Sequence, residues 1–263
     1  MIDTSICIFN HSSLTQKSVL KDAAKTSLNP GTFDEISESL EKNLKDCSEE
    51  HKILFIIISA QGALNEEGTY IISFGENNEE DKLIVDSKLI SDKIKELRKE
   101  YSCKVIGLIG CCYSGNFDTT CFDASITTTD KDHVGYHQYL CSIVNDLLKK
   151  PTFSVREIYD LAVSDDSPYK NSIEAWNDYK IRSVMREGSD HELIDAVLLN
   201  PRLKNLVMTA FTSPDLKKKG RATTGDIRFE VNLIKKDFNI EEYFENELVE
   251  SLLMKYLSKK KIR

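Results

Sequence analysis

Two short segments of the chain carry side chains able to do chemistry, and each stands at the end of an apolar run. Lys104-Val-Ile-Gly-Leu-Ile-Gly110 leads into Cys111-Cys112-Tyr113-Ser114-Gly115, and Ile53-Leu-Phe-Ile-Ile-Ile-Ser59 leads into Ala60-Gln61-Gly62-Ala63. An apolar run that stops at a small residue and then presents Cys, a polar side chain and Gly has the pattern of a buried parallel strand's tip, where α/β proteins place nucleophiles. Cys112 is therefore the candidate nucleophile, while Cys111 is expected to point the opposite way, into the core. Cysteine attacks only as thiolate and ordinarily relies on a neighbouring imidazole to take its proton and return it. Gln61 can hydrogen-bond but has no titratable proton near neutral pH. Loss of such a partner costs roughly 10²–10⁴ in rate. His133 follows the acidic pair Asp130 and Asp132, with His137 just beyond. A loop folded over the strand edge would bring an Asp-supported His133 towards Cys112 as a replacement base. The backbone amide of Gly62 is a candidate oxyanion donor.

The elements needed to hold these groups are legible as periodicity. Ser5–Phe9 reads as a first strand, followed by a helical segment through Val19, Leu20, Ala23 and Ala24 that Asn29-Pro30-Gly31 ends. Thr32 with Glu35 is a capping-box pattern, and Phe33, Ile36, Leu40 and Leu44 repeat at helical spacing, which predicts a helix over about 33–46. The continuous β-branched run Ile53–Ser59 predicts a central strand covered on both faces. Thr69–Phe74 reads as a strand, Asp86–Glu100 as a helix with Leu89, Ile90, Ile94 and Leu97 on one face, and Lys104–Gly110 as the next core strand. Strand, helix, strand in this order makes a βαβ unit with parallel strands. Gln61 and Cys112, 51 positions apart, are then neighbours at one sheet edge.

Further along, Phe122–Thr129 predicts a strand and His133–Leu148 a helix, with capped helix starts at Ser154/Glu157 and Ser189/Glu192. Leu203–Ala210 predicts another core strand. Asp226–Ile234 alternates strictly and predicts an edge strand, and a terminal helix is expected over about 240–258.

At 263 residues, 40% hydrophobic and 30% charged, the chain has the composition of a globular protein large enough to bury a full core. One domain spanning 1–263 is expected, its motif-bearing core at about 33–165 and its remainder at 166–263. A net charge of −8 and a pI near 5.3 argue against nucleic acid or an anionic membrane as partner. Lys217-Lys218-Lys219-Gly220-Arg221 reads as a solvated loop. The seven cysteines form an odd set without framework spacing, and no apolar leader or membrane-length run accompanies them, so reduced thiols in the cytoplasm are expected. Cys111, Cys112, Cys121, His133 and His137 include no Cys-x₂-Cys pair, so no metal is expected, and with no nucleotide-binding glycine pattern no other cofactor is expected either. P-loop, dinucleotide and Gly-x-Ser-x-Gly patterns are absent.

Taken together, Ser59-Ala60-Gln61-Gly62-Ala63 and Gly110-Cys111-Cys112-Tyr113-Ser114-Gly115 resemble the paired strand tips of the caspase-like superfamily of cysteine peptidases, which includes caspases, metacaspases and legumains. In that family the first tip reads Ser-Gly-His-Gly or similar and carries the base, and the second reads Asp-Ala-Cys-Tyr-Ser-Gly and carries the nucleophile. The resemblance implies a three-layer sandwich with a mainly parallel sheet flanked by helices. It implies that Cys112 holds the nucleophile position and Gln61 the base position, substituted. It also implies a substrate pocket bordered by Gly110, Ser114, Thr128 and Asp130. Gly110 stands where metacaspases carry an Asp that binds a basic side chain, so Arg or Lys preference is not implied. The stretch before the Phe33 helix is short for the family, which predicts a missing sheet element. The expectation is a degenerate peptidase homologue that binds peptide or protein partners, alone, as a homodimer, or with an active relative. The alternative is an active cysteine endopeptidase with His133 as base.

Overall fold

A computed structural model describes residues 2–10, 26–75, 82–135, 138–148, 150, 152–164 and 183–201. The expected elements at Val19–Ala24, Leu203–Ala210, Asp226–Ile234 and 240–258, together with His137, lie outside them.

The backbone of the fold is four parallel strands laid side by side in chain order: β1 (Ile2–Asn10), β3 (Ile53–Ser59), β7 (Lys104–Gly110) and β8 (Ala124–Thr127). β2 (Thr26–Leu28) pairs with the C-terminal half of β1, so the stretch expected to lack an element supplies a short strand. Two-residue strands complete the edges: β10 (Val184–Met185) runs antiparallel to β8, β11 (Leu198–Leu199) runs parallel to the start of β1, and β9 (Thr152–Phe153) borders β11. The result is an eight-stranded, mostly parallel sheet in the order β10-β8-β7-β3-β1-β11-β9, with β2 beside β1.

Side-chain alternation explains why helices cover both faces. Leu54, Ile56 and Ile58 of β3 and Val105 and Ile109 of β7 face α1 (Phe33–Glu49) and α2 (Ser87–Leu97), meeting Ile36, Leu40, Leu44, Ile90 and Ile94. Ile53, Phe55 and Ile57 of β3 and Ile106 and Leu108 of β7 face α3 (Gln138–Leu147) and α4 (Val155–Val163), meeting Leu140, Ile143, Val144 and Ile158. All seven residues of β3 are buried, as its unbroken apolar run predicts. The chain is thus α/β, a mostly parallel sheet flanked by helices. Among the described residues no helix is long and apolar enough to cross a membrane.

Helix starts follow their caps. Thr32 Oγ1 accepts from the Glu35 amide at α1, and at α4 Ser154 and Glu157 form both bonds of a capping box. Near residue 190 the cap is Asp190, not Ser189, and α5 covers only His191–Ile194. Ser189 Oγ instead accepts from Ser125 N. α3 begins at Gln138, five residues later than periodicity predicts, because residues 130–135 are drawn onto the end of β7.

Between β3 and α2 lies a small antiparallel sheet that periodicity only partly reveals: β4 (Gln61–Leu64), β5 (Tyr70–Phe74) and β6 (Leu83–Asp86), in that order. β4, Gln61-Gly-Ala-Leu64, carries no apolar run of its own.

Candidate active site

β3 and β7 run in register, with Ser59 beside Gly110, and Ala60 N donates to Gly110 O at 3.3 Å. Two residues beyond that pair come Gln61 on one chain segment and Cys112 on the other, leaving the sheet at the same edge. β3 passes with one residue between into β4, and Gln61 is exposed at its first position. β7 breaks at Cys111–Tyr113, where Tyr113 takes left-handed backbone angles (φ 54°, ψ 27°) before a turn of 3₁₀ helix at Ser114–Asn116. A non-glycine residue in that region is uncommon, and it turns the chain sharply after the cysteine.

The two tips touch through Gly62. A Cβ placed there would lie 2.3 Å from Cys112 O and 2.4 Å from the Tyr70 hydroxyl, so this approach needs a residue without a side chain. Tyr70, at the start of β5, donates its hydroxyl to Cys112 O at 2.8 Å. Its burial pushes the phenol well above its ordinary range, so it remains a donor.

The adjacent cysteines have opposite surroundings. Cys111 is fully buried against the α1 and α2 side, and burial pushes its thiol up to about 12. It is inert as a nucleophile at neutral pH. Cys112 is partly exposed, and its Sγ donates to Gly135 O at 3.1 Å.

Beneath the tip lies a knot of buried hydroxyls. Ser114 and Thr128, expected to border a substrate pocket, are 0% and 2% exposed. Ser114 Oγ accepts from Thr129 N at 3.0 Å, and Thr128 Oγ1 reaches Ile109 O and Cys111 O at 3.3 Å each. Thr127 Oγ1 donates to Thr129 O at 2.9 Å. These side chains brace the site from within. Gly110 is likewise buried in the strand ladder. Asp130 and His133 lie at the surface side of the site, with His133 Nδ1 2.5 Å from Asp130 Oδ1. The loop carrying them does fold over the strand edge, and Tyr113 N donates to His133 O at 2.8 Å.

Tyr70, Asn116, Thr129 and Gly135 are contributors that sequence reasoning misses. Tyr70 lies 42 positions from Cys112, and Gly135 lies 23, so no local spacing rule links them.

A cavity of about 650 Å³ opens at the other end of the strands, lined by Lys52, Arg98, Lys104, Asp123 and Asp190 among others. Its cations are paired: Arg98 with Asp123 at 2.7 Å, Lys104 with Asp190 at 3.1 Å, and Lys52 with Glu50 beside the cavity. Asp123 also accepts from Val105 N, so this network serves to anchor β7. The C-terminal strand edge is the better candidate, since parallel sheets collect loops and ligands there.

No protein-family model matches the chain, and no curated protein matches it. Among solved structures it is similar to a crystal structure of Raptor from Chaetomium thermophilum at 9% identity and a TM-score of 0.33. That match covers 90% of this chain and 23% of the other, so the chain spans about a quarter of its length, and a likeness so slight carries no argument about fold or function.

Proposed function

We propose that the chain is a degenerate member of the caspase-like superfamily, a pseudopeptidase that binds peptide or protein partners through the Cys112 edge. The observation that carries this reading is the register that sets Gln61 and Cys112 at matching positions beyond the Ser59 and Gly110 pair. The glutamine there has no proton to exchange near neutral pH. The remaining parts of a thiol site support the reading: a part-exposed sulfur at a parallel strand tip, a close glycine backbone, and a braced turn.

Gln61→His is the direct test. If the site lacks only its base, this variant gains hydrolysis of fluorogenic peptides by roughly 10²–10⁴ over wild type. Cys112→Ala in the same background removes the gain. Wild-type hydrolysis that Cys112→Ala abolishes overturns the reading.

One observation favours a second reading, an active endopeptidase with His133 as base: Asp130 orients the imidazole through Nδ1. His133 would take the Cys112 proton, the thiolate would attack the peptide carbonyl to form a thioester, and the imidazolium would protonate the leaving amine. Water would then release the acid. Here wild-type hydrolysis must be present and must be lost in His133→Ala.

A further inference from the structure

We propose that residues 130–135 form an autoinhibitory strap that shields the Cys112 sulfur until a peptide or protein occupying the edge lifts it away. The proposal rests on the reading above only in taking Cys112 as the working group.

The turn after β7 supplies hydrogen-bond donors, and the strap supplies carbonyl acceptors. Cys112 Sγ donates to Gly135 O at 3.1 Å, Tyr113 N to His133 O at 2.8 Å, Gly115 N to Asp130 O at 3.3 Å and Asn116 Nδ2 to Lys131 O at 2.7 Å. As the turn advances from 112 to 115 the acceptors retreat from 135 to 130, so the two segments lie antiparallel there, and the Asn116 side chain adds a tie to Lys131 O. Their fit depends on two glycines. A Cβ at Gly115 would lie 2.4 Å from Asp130 C and Lys131 N, and one at Gly135 would lie 2.3 Å from Thr129 Cγ2. Asp130 Oδ1 stiffens the strap by accepting from Asp132 N at 3.0 Å as well as meeting His133.

The attachment is polar throughout. None of the six strap residues is buried, and Lys131 and Asp132 are exposed. A segment held by hydrogen bonds without a buried apolar anchor separates without opening the core. Its chemical effect falls on the sulfur. The thiol hydrogen is engaged by Gly135 O, and that oxygen stands 3.1 Å from Sγ, in space an electrophile would need. With that approach blocked, Cys112 is silent while the strap is seated.

Alkylation of the native chain with iodoacetamide, localised to single cysteines by fragment-ion mass spectrometry, tests this. Wild-type Cys112 should react more slowly than a free thiol. Asn116→Ala removes one tie and should speed Cys112 alkylation by roughly three- to tenfold, the effect of losing one or two hydrogen bonds. Gly135→Ala, which displaces the strap, should speed it at least as much, with Cys7 and Cys111 remaining unlabelled. A wild-type Cys112 as reactive as a free thiol, or no acceleration in either variant, overturns the strap. If a variant unfolds, seen as Cys7 and Cys111 labelling together with Cys112, the wild-type chain decides. The Tyr113 amide should exchange its hydrogen through the same opening that exposes Cys112. Protection of that amide alongside free-thiol reactivity of Cys112 overturns the proposal. None of these measurements depends on peptide hydrolysis, so the Gln61→His experiment judges the pseudopeptidase reading separately.

Discussion

Gly62 shows how much of the site depends on a missing atom. Its backbone packs against the hydrogen-bonded pair of Cys112 O and the Tyr70 hydroxyl, and both lie closer to where a methyl group would sit than packed atoms allow. Gly62→Ala should therefore destabilise the fold by about 1–3 kcal/mol, the usual range for overpacking a filled site. Urea unfolding measures this, and a variant as stable as wild type would show that the two tips are not packed together. The residue types at the tips were legible in sequence, as was the opposite aim of Cys111 and Cys112, because strand alternation needs no long-range information. The roles of Ser114 and Thr128 were not. A hydroxyl beside a candidate nucleophile reads equally well as substrate contact or internal brace, and only the partners Thr129, Ile109 and Cys111 distinguish the two.

Elements were readable where their signals are local. The α4 capping box, with Ser154 Oγ accepting from Glu157 N at 3.2 Å and Glu157 Oε2 accepting from Ser154 N at 2.9 Å, follows directly from the Ser-x-x-Glu pattern. Ser154→Ala should cost about 1 kcal/mol. A urea midpoint unchanged by that substitution would mean the box contributes nothing. The same pattern at α1 forms differently, since Glu35 Oε2 accepts from Gly31 N. Sequence reading fails where an element is short or a helical pattern is overruled. β4 and β6 hold four residues each, too few for a period to emerge. The helical pattern begins at His133, yet α3 starts at Gln138, because residues 130–135 make their hydrogen bonds to the Cys112 turn instead.

Across the whole molecule, core packing ties stability to alkaline pH. Burial pushes the thiols of Cys7, Cys111 and Cys121 up to about 12 from the ordinary 9.0. Below pH 9 these thiols are protonated whether the chain is folded or not, and stability is unaffected. As pH rises above 9 the unfolded chain releases these protons while the folded one keeps them, so stability falls, on the order of 1 kcal/mol per thiol per pH unit up to about 12. Urea midpoints under reducing conditions should therefore drop steeply between pH 9 and 10, and because burial also raises the thiols of Cys103 and Cys141, Cys7→Ala should remove about a fifth of this thiol-dependent slope. A midpoint that is flat over that range would contradict burial of these thiols in the folded chain.

By itself the sequence determined the α/β class, the central position of β3 and β7, and the meeting of Gln61 with Cys112 at one sheet edge. Each of these follows from periodicity, strand length and the parallel geometry of a crossover, all of which are local properties repeated along the chain. Tertiary structure alone decided which hydroxyls brace the tip, that Tyr70 holds the Cys112 carbonyl, and that the 130–135 segment lies across the thiol. Those are hydrogen bonds between segments 15 to 42 residues apart. Their partners are chosen by where the folded sheet delivers each backbone, and no pattern within either segment encodes that choice.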